Sequence, residues 1–187
     1  MLPISSSSYH IWGISNFMLN SIVVSVEYIR FFISNNFLNK SNIIFTLKII
    51  DYLKAPLFNV IGISYKNANA SVRGMFSLNL NQSKLLVQDS LKLGIDNLIV
   101  NSTCNRVEIY SSTFDTNLLI KLLCKYSSGS IKDFKEYGYI LRGSEAVNHI
   151  FKVGTGLDSQ ILGDFEIIAQ LNNSFLRSKK FIQIKFK

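Results

Sequence analysis

The spacing of apolar and polar positions divides the chain near residue 57. Before it, apolar stretches such as Ser21 to Val26 and Ile43 to Leu47 are broken by Glu27, Arg30 and an Asn- and Lys-rich run. None reaches the roughly 18–20 apolar residues needed to span a bilayer. The start also lacks the basic region, compact apolar core and small-residue site of a signal peptide. Residues 1–56 are therefore read as an extension. It is either an amphipathic surface segment or, the favoured reading, sequence upstream of the real start. From Phe58 the pattern becomes regular. Phe58 to Ser64 (FNVIGIS) is a short, mainly apolar run of the kind that forms a buried strand. A polar, Asn-rich loop is expected over Tyr65 to Gly74. A helix capped by Asn81 or Ser83 should then run to Leu93, with Gly94 just past its end.

Ile95 to Asn101 reads as a second strand. Ser102 to Arg106 interrupts the pattern, and Val107 to Ser111 resumes as a third strand. Leu118, Leu119, Leu122, Leu123 and Tyr126 share one helical face. Tyr137 to Leu141 reads as the fourth strand. The order β-α-β-β-α-β predicts an α+β, ferredoxin-like domain. Helices follow: one capped by Ser144 with Val147, Ile150 and Phe151 on a face, then one from about Asp164 to Lys180 beyond a Gly-rich connection, Gly154 to Gly156.

Composition narrows the picture without deciding it. Hydrophobic residues make up 48% and charged ones 17% of 187 residues, enough for a folded core. The net charge of +8 suits a polyanionic partner, nucleic acid being the commonest. Two cysteines, Cys104 and Cys124, make neither a disulfide framework nor a zinc site. With His10 and His149 the only histidines, a His-rich metal site is not expected. A reducing, cytoplasmic setting fits best.

The stretch Ser102-Thr103-Cys104-Asn105-Arg106 lies between two predicted strands, where a rigid scaffold can present a side chain. Arg106 could lower the pKa of Cys104, making it a nucleophile, or clamp a substrate carboxylate. Thr103 and Asn105 add hydrogen-bonding groups. A cysteine at a strand end is more often a packing residue, so this stretch alone assigns no chemistry. A second string runs from Glu145 through His149, Gly154, Gly156, Asp158, Ser159 and Gly163 to Glu166. Its two glycines follow no strand, so they do not form a dinucleotide fingerprint.

Together these stretches resemble the glutamyl-tRNA reductase family. Gly62-Ile63-Ser64-Tyr65-Lys66-Asn67-Ala68, followed by Val72-Arg73, resembles the family's first motif. Ser102 to Tyr110 matches its Ser-Thr-Cys-Asn-Arg-x-Glu-Ile-Tyr without a departure. Glu145 to Ser159 matches a third motif with conservative changes at Ile150 and Lys152. The resemblance covers about Asn59 to Lys180.

It implies reduction of glutamyl-tRNA to glutamate-1-semialdehyde, the first step of five-carbon tetrapyrrole and heme synthesis. Cys104 would take the glutamyl group as a thioester, and NADPH would reduce it. Thr103, Asn105 and Arg106 would hold the glutamate moiety, with Ser159, Asp164, Phe165, Glu166 and Gln170 completing the pocket. His149 would serve in acid–base work or in orienting the reacting group. Asp164 and Glu166 depart from the family's usual Glu and Gln at these positions, which weakens their assignment. The implied partners are glutamyl-tRNA, a second copy as in full-length members, and glutamate-1-semialdehyde aminomutase, with no membrane. The expected domains are the extension at 1–56, a catalytic domain at 57–157, a helical connection at 158–180 toward an NADPH-binding Rossmann domain that this chain lacks, and a divergent tail at 181–187. On that reading the chain is a fragment with thioester or esterase activity at most. A tRNA-binding module with a structural Cys104 is the alternative.

Overall fold

The structure, a computed structural model, describes residues 58–183 apart from Phe114 and Phe165. The expected extension at 1–56 and most of the tail lie outside them. Four strands form one antiparallel sheet in the order β2-β3-β1-β4: β1 (Phe58–Ser64), β2 (Leu98–Ser102), β3 (Arg106–Ser112) and β4 (Tyr139–Arg142). With helices α2 (Leu80–Lys92) and α3 (Thr116–Tyr126) as the two crossovers, this is the ferredoxin-like arrangement expected from the pattern.

The run FNVIGIS is buried along its whole length because β1 is central and both faces of the sheet are covered. One face carries Ile61, Ile63, Leu98, Val100, Val107 and Ile109 against α2, α3 and two short helices, α1 (Ala70–Phe76) and α4 (Ile131–Tyr137). The other carries Phe58, Val60, Ile99 and Tyr110 against α5 (Ser144–Gly154) and α6 (Glu166–Gln183). The strand period of two thus turns Arg106, Glu108 and Tyr110 of β3 toward α5 and α6.

Several boundaries differ from the pattern, each for a local reason. The stretch expected as an Asn-rich loop contains α1, because Asn69 is a cap: its side chain accepts from the Val72 amide at 3.0 Å. The cap of helix α2 is Asn79, two residues before the expected Asn81. Asn79 and Gln82 form a reciprocal capping box there. Tyr137 ends α4 and does not begin β4. Ser130 and Asp133 box the start of α4, a signal the apolar run YGYIL concealed. Ser144 is the first helical residue of α5, and Gly143 holds the cap position. The corner from β4 into α5 requires φ of +54° there, and the Gly143 amide is tied to the Phe58 carbonyl at 2.8 Å. Gly94 closes α2 with φ of +79°, as its position suggested.

Helix α6 covers the outer edge of the sheet. Its buried Ser178 accepts the Val100 amide at 3.2 Å, and its buried Ser174 donates to the Asn101 side chain at 3.1 Å. An edge amide that would otherwise template a further strand is thereby paired. Ser178→Ala leaves that buried N–H without a partner, and such a group costs about 1–3 kcal/mol. The expected outcome is a lower urea midpoint with an unchanged denaturant slope. A wild-type midpoint would show that α6 does not carry this bond.

Candidate functional site

Thr103, Cys104, Asn105 and Arg106 form the turn that joins β2 to β3. Ser102 pairs with Val107 in the last rung of the ladder. The Thr103 amide donates to the Arg106 carbonyl at 2.8 Å, and the Arg106 amide donates to Thr103 Oγ1 at 3.2 Å. Cys104 is at the exposed tip. Two outside contacts fix the turn. The Tyr65 amide donates to the Asn105 carbonyl at 2.9 Å. Arg73 on α1 donates from Nε to the Cys104 carbonyl at 3.0 Å and from Nη1 to the Ala68 carbonyl at 2.7 Å.

The turn forms one wall of a cleft of about 110 Å³. Ser159 and Asp164 from the α5–α6 connection, and Glu166, Ile167 and Gln170 from α6, supply much of the rest. Of the residues anticipated from sequence, Thr103, Cys104, Asn105, Arg106, Ser159, Asp164, Glu166 and Gln170 converge here. Phe165 lies outside the described residues. Tyr65, Asn101 and Ile167 also border the cleft and were not anticipated. Two of them carried an available signal: Tyr65 lies inside the first motif, and Asn101 directly precedes the second.

His149 does not border the cleft. It belongs to a buried polar network behind the turn. Glu108, fully buried, is at its centre. His149 Nε2 donates to Glu108 Oε1 at 2.6 Å, and Arg106 Nη1 donates to the same oxygen at 3.0 Å. The hydroxyls of Tyr110 and Tyr139 donate to the two carboxylate oxygens. Arg106, only 3% exposed, also donates from Nη2 to the Asp158 carbonyl. The Asp158 carboxylate pairs with Lys66 and lies 3.5 Å from His149 Nδ1. The network thus ties β3, β4, α5 and Lys66, just past β1, to the connection that carries Ser159. The charge of Arg106 is therefore met within the protein by Glu108, while the residue still borders the cleft.

Burial alone would raise the Glu108 carboxyl. The His149 hydrogen bond and the Arg106 charge outweigh it and hold the pKa at about 2, against an ordinary 4.5. Burial alone would lower Arg106, but the Glu108 carboxylate reverses the sign and raises it. Burial first, then Glu108, push the Tyr110 and Tyr139 hydroxyls well above 10. They remain donors at all physiological pH.

Space for this network comes from Gly62, which faces Glu108 on one side and Tyr139 on the other in the strand register. A Cβ there would be 2.8 Å from Glu108 Cγ and 2.9 Å from the Tyr139 hydroxyl. Gly62 opens the first motif of the sequence, so its conformationally ordinary glycine is required by contact and not by φ.

The family model described as Glutamyl-tRNAGlu reductase, N-terminal domain, matches residues 61–185. The chain belongs to the glutamyl-tRNA reductase family. It is 51% identical over 123 residues to the glutamyl-tRNA reductase of Christiangramia forsetii, covering 66% of this chain and 29% of that protein. It is also 51% identical over 126 residues to that of Flavobacterium psychrophilum, covering 67% and 30%. The chain thus spans about 30% of the length of these glutamyl-tRNA reductases. Among solved structures, glutamyl-tRNA reductase from Methanopyrus kandleri superposes with a TM-score of 0.54 at 26% identity, over 67% of this chain and 29% of that one. The family expected from the three motifs and the fold expected from the pattern agree with these comparisons.

The reductase family implies NADPH. The described residues do not fit it: their sheet is wholly antiparallel, and no glycine-rich strand-to-helix turn of the dinucleotide-binding kind occurs among them. Among the described residues there is also no cluster of three metal-ligating side chains and no helix long and apolar enough to cross a membrane.

The depressed pKa of Glu108 sets a pH dependence. A carboxyl whose folded pKa lies below its unfolded value stabilises fully above the unfolded value, and the stabilisation fades as pH falls toward the folded one. The thermal midpoint should therefore drop between about pH 4.5 and pH 2 through this group. Glu108→Gln leaves Arg106 buried without its carboxylate, at a cost of about 3–5 kcal/mol. It should also flatten the midpoint in that window. Calorimetry across the window checks both. An undiminished slope in Glu108→Gln would assign the dependence to other carboxyls.

Proposed function

We propose that Cys104 accepts the glutamyl group of glutamyl-tRNA as a thioester. The observation that carries this reading is the placement of an exposed thiol at the tip of a rigid turn, facing a polar cleft built from all three family motifs. The thiolate sulfur attacks the ester carbonyl carbon, and a C–S bond forms. The C–O bond to the tRNA ribose then breaks, and the ribose oxygen takes up the proton the thiol has released. A thiolate suits this step because it is strongly nucleophilic near neutral pH.

Each group at the cleft has a role consistent with its place. Arg73 anchors the Cys104 carbonyl and so sets the direction of the thiol. Thr103 and Asn105 flank it, and Ser159, Asp164, Glu166 and Gln170 present hydrogen-bonding groups from the opposite wall. Arg106 brings positive potential to the cleft floor, partly offset by Glu108. His149 acts as a positioning residue: its hydrogen bond to Glu108 fixes the network that holds Arg106 and the 158–159 connection. His149 is not among the residues lining the cleft, and this favours positioning over the expected acid–base role.

A hydride step is not assigned to the described residues, which hold no dinucleotide cradle. On its own the chain should release glutamate from the thioester to water, giving a slow Cys104-dependent hydrolysis of glutamyl-tRNA.

Incubation with glutamyl-tRNA labelled on glutamate, without NADPH, tests the reading. Label should appear on the protein, survive denaturation, leave with hydroxylamine, and be lost at least 100-fold in Cys104→Ser. A folded wild-type chain that takes no label, or equal labelling of Cys104→Ser, would leave a tRNA-binding module as the better account.

A further inference from the structure

Helix α6 enters the cleft at one end and leaves it along an exposed stripe. Glu166, Gln170, Asn173, Arg177 and Lys180 follow spacings of four, three, four and three residues, which place them on one helical face. The first two border the cleft of Cys104. Asn173, Arg177 and Lys180 line an open groove of about 340 Å³ together with Leu176, which is 52% exposed. Arg177 also borders a second hollow with Ser102, the residue just before the cysteine turn. The two grooves and the cleft therefore follow one another along the helix.

The charge along this stripe is graded. Asp164 and Glu166 are at the cleft end, whereas positions 171–183 hold Arg177, Lys179 and Lys180 and no carboxylate. None of these three cations has an ion-pair partner among the described residues. Arg177 is held along its own helix, donating to the Asn173 carbonyl at 3.1 Å and to Ser174 Oγ at 3.3 Å. Its guanidinium is fixed in place without being neutralised.

We propose that this stripe, from Gln170 to Lys180, seats the unpaired 3′ end of the acyl-RNA whose ester enters the cleft. The inference rests on the reading of Cys104 given above. Gln170 and Lys180 are ten residues apart, about 15 Å along the axis, a span that a few unpaired nucleotides cover. The ester and terminal ribose are uncharged and lie where the cleft carboxylates are. The phosphates begin farther along, where the cations are. Leu176 gives an unstacked base an apolar surface between them.

The test is fluorescence anisotropy of labelled, deacylated glutamate-accepting tRNA over a series of salt concentrations, using the full chain. Arg177→Gln/Lys180→Gln should weaken binding roughly tenfold at low salt. Loss of two phosphate contacts on a single strand should also lower the slope of log affinity against log salt by about 1.4. Lys132→Gln/Lys135→Gln removes the same charge from the exposed face of α4 and should change neither quantity. Wild-type affinity and slope in the α6 pair, or equal losses in the two pairs, would overturn the proposal. Labelling of Cys104 by the p-nitrophenyl ester of glutamate, which carries no RNA, separates this from the reading of the thiol. The α6 pair should take that label at the wild-type rate. A wild-type chain labelled by neither ester would sink the thioester reading, while the anisotropy would still decide the stripe.

Discussion

A carboxylate with no access to water is the constraint around which this domain is arranged. Glu108 is completely buried on a central region of the sheet, yet it stays ionised well below the ordinary carboxylate range. A buried charge is tolerated only where partners replace its hydration. Four side chains do so, and they come from three elements: Arg106 and Tyr110 on the same strand, Tyr139 on β4 and His149 on α5. Satisfying one carboxylate therefore specifies the docking of an edge strand and a helix. It also explains why β1 carries a glycine opposite it, since any side chain there would occupy the space the network fills.

The same interaction reaches the cleft. Arg106 is both the last residue of the cysteine turn and the principal cation beside Glu108. Its other end is bound to the Asp158 carbonyl, and the next residue, Ser159, borders the cleft. The two walls of the cleft are thus connected through the protein interior and not only across the opening. Arg73 completes the arrangement from the outside by holding the Cys104 carbonyl. The turn is thus held by its backbone while the Cys104 side chain remains exposed, which on the proposed reading suits a group that must meet an ester in one orientation.

Much of this was legible in the sequence, and the parts that were not share a cause. The mainly apolar run of β1, the break at Ser102 to Arg106 and the leucine face of α3 each follow from the period of their elements. Eight of the eleven described cleft residues could be read from the resemblance, because they fall in two short stretches, Thr103 to Arg106 and Ser159 to Gln170. Helices α1 and α4 were hidden because each is a single short element whose start depends on a cap, Asn69 or Ser130, and not on a repeating apolar face. The role of Glu108 was hidden differently. Arg106, Glu108 and Tyr110 have the spacing of a strand face, but an alternating polar pattern ordinarily signals a face turned to water. Only the covering of that face by α5 and α6 makes it interior.

That covering also separates two kinds of residue within the same motifs. In Thr103 to Tyr110, the first three residues face the cleft, while Glu108 and Tyr110 face the buried network, with Arg106 at the junction. In the third motif, His149 lies with the network and Ser159 with the cleft. A motif match by itself assigns all of them to chemistry. On the proposed reading, His149 and Glu108 would bear on the reaction through the position of Arg106 and the 158–159 connection. Their replacement should then disturb stability and catalysis together, whereas replacement at the turn tip should disturb catalysis alone.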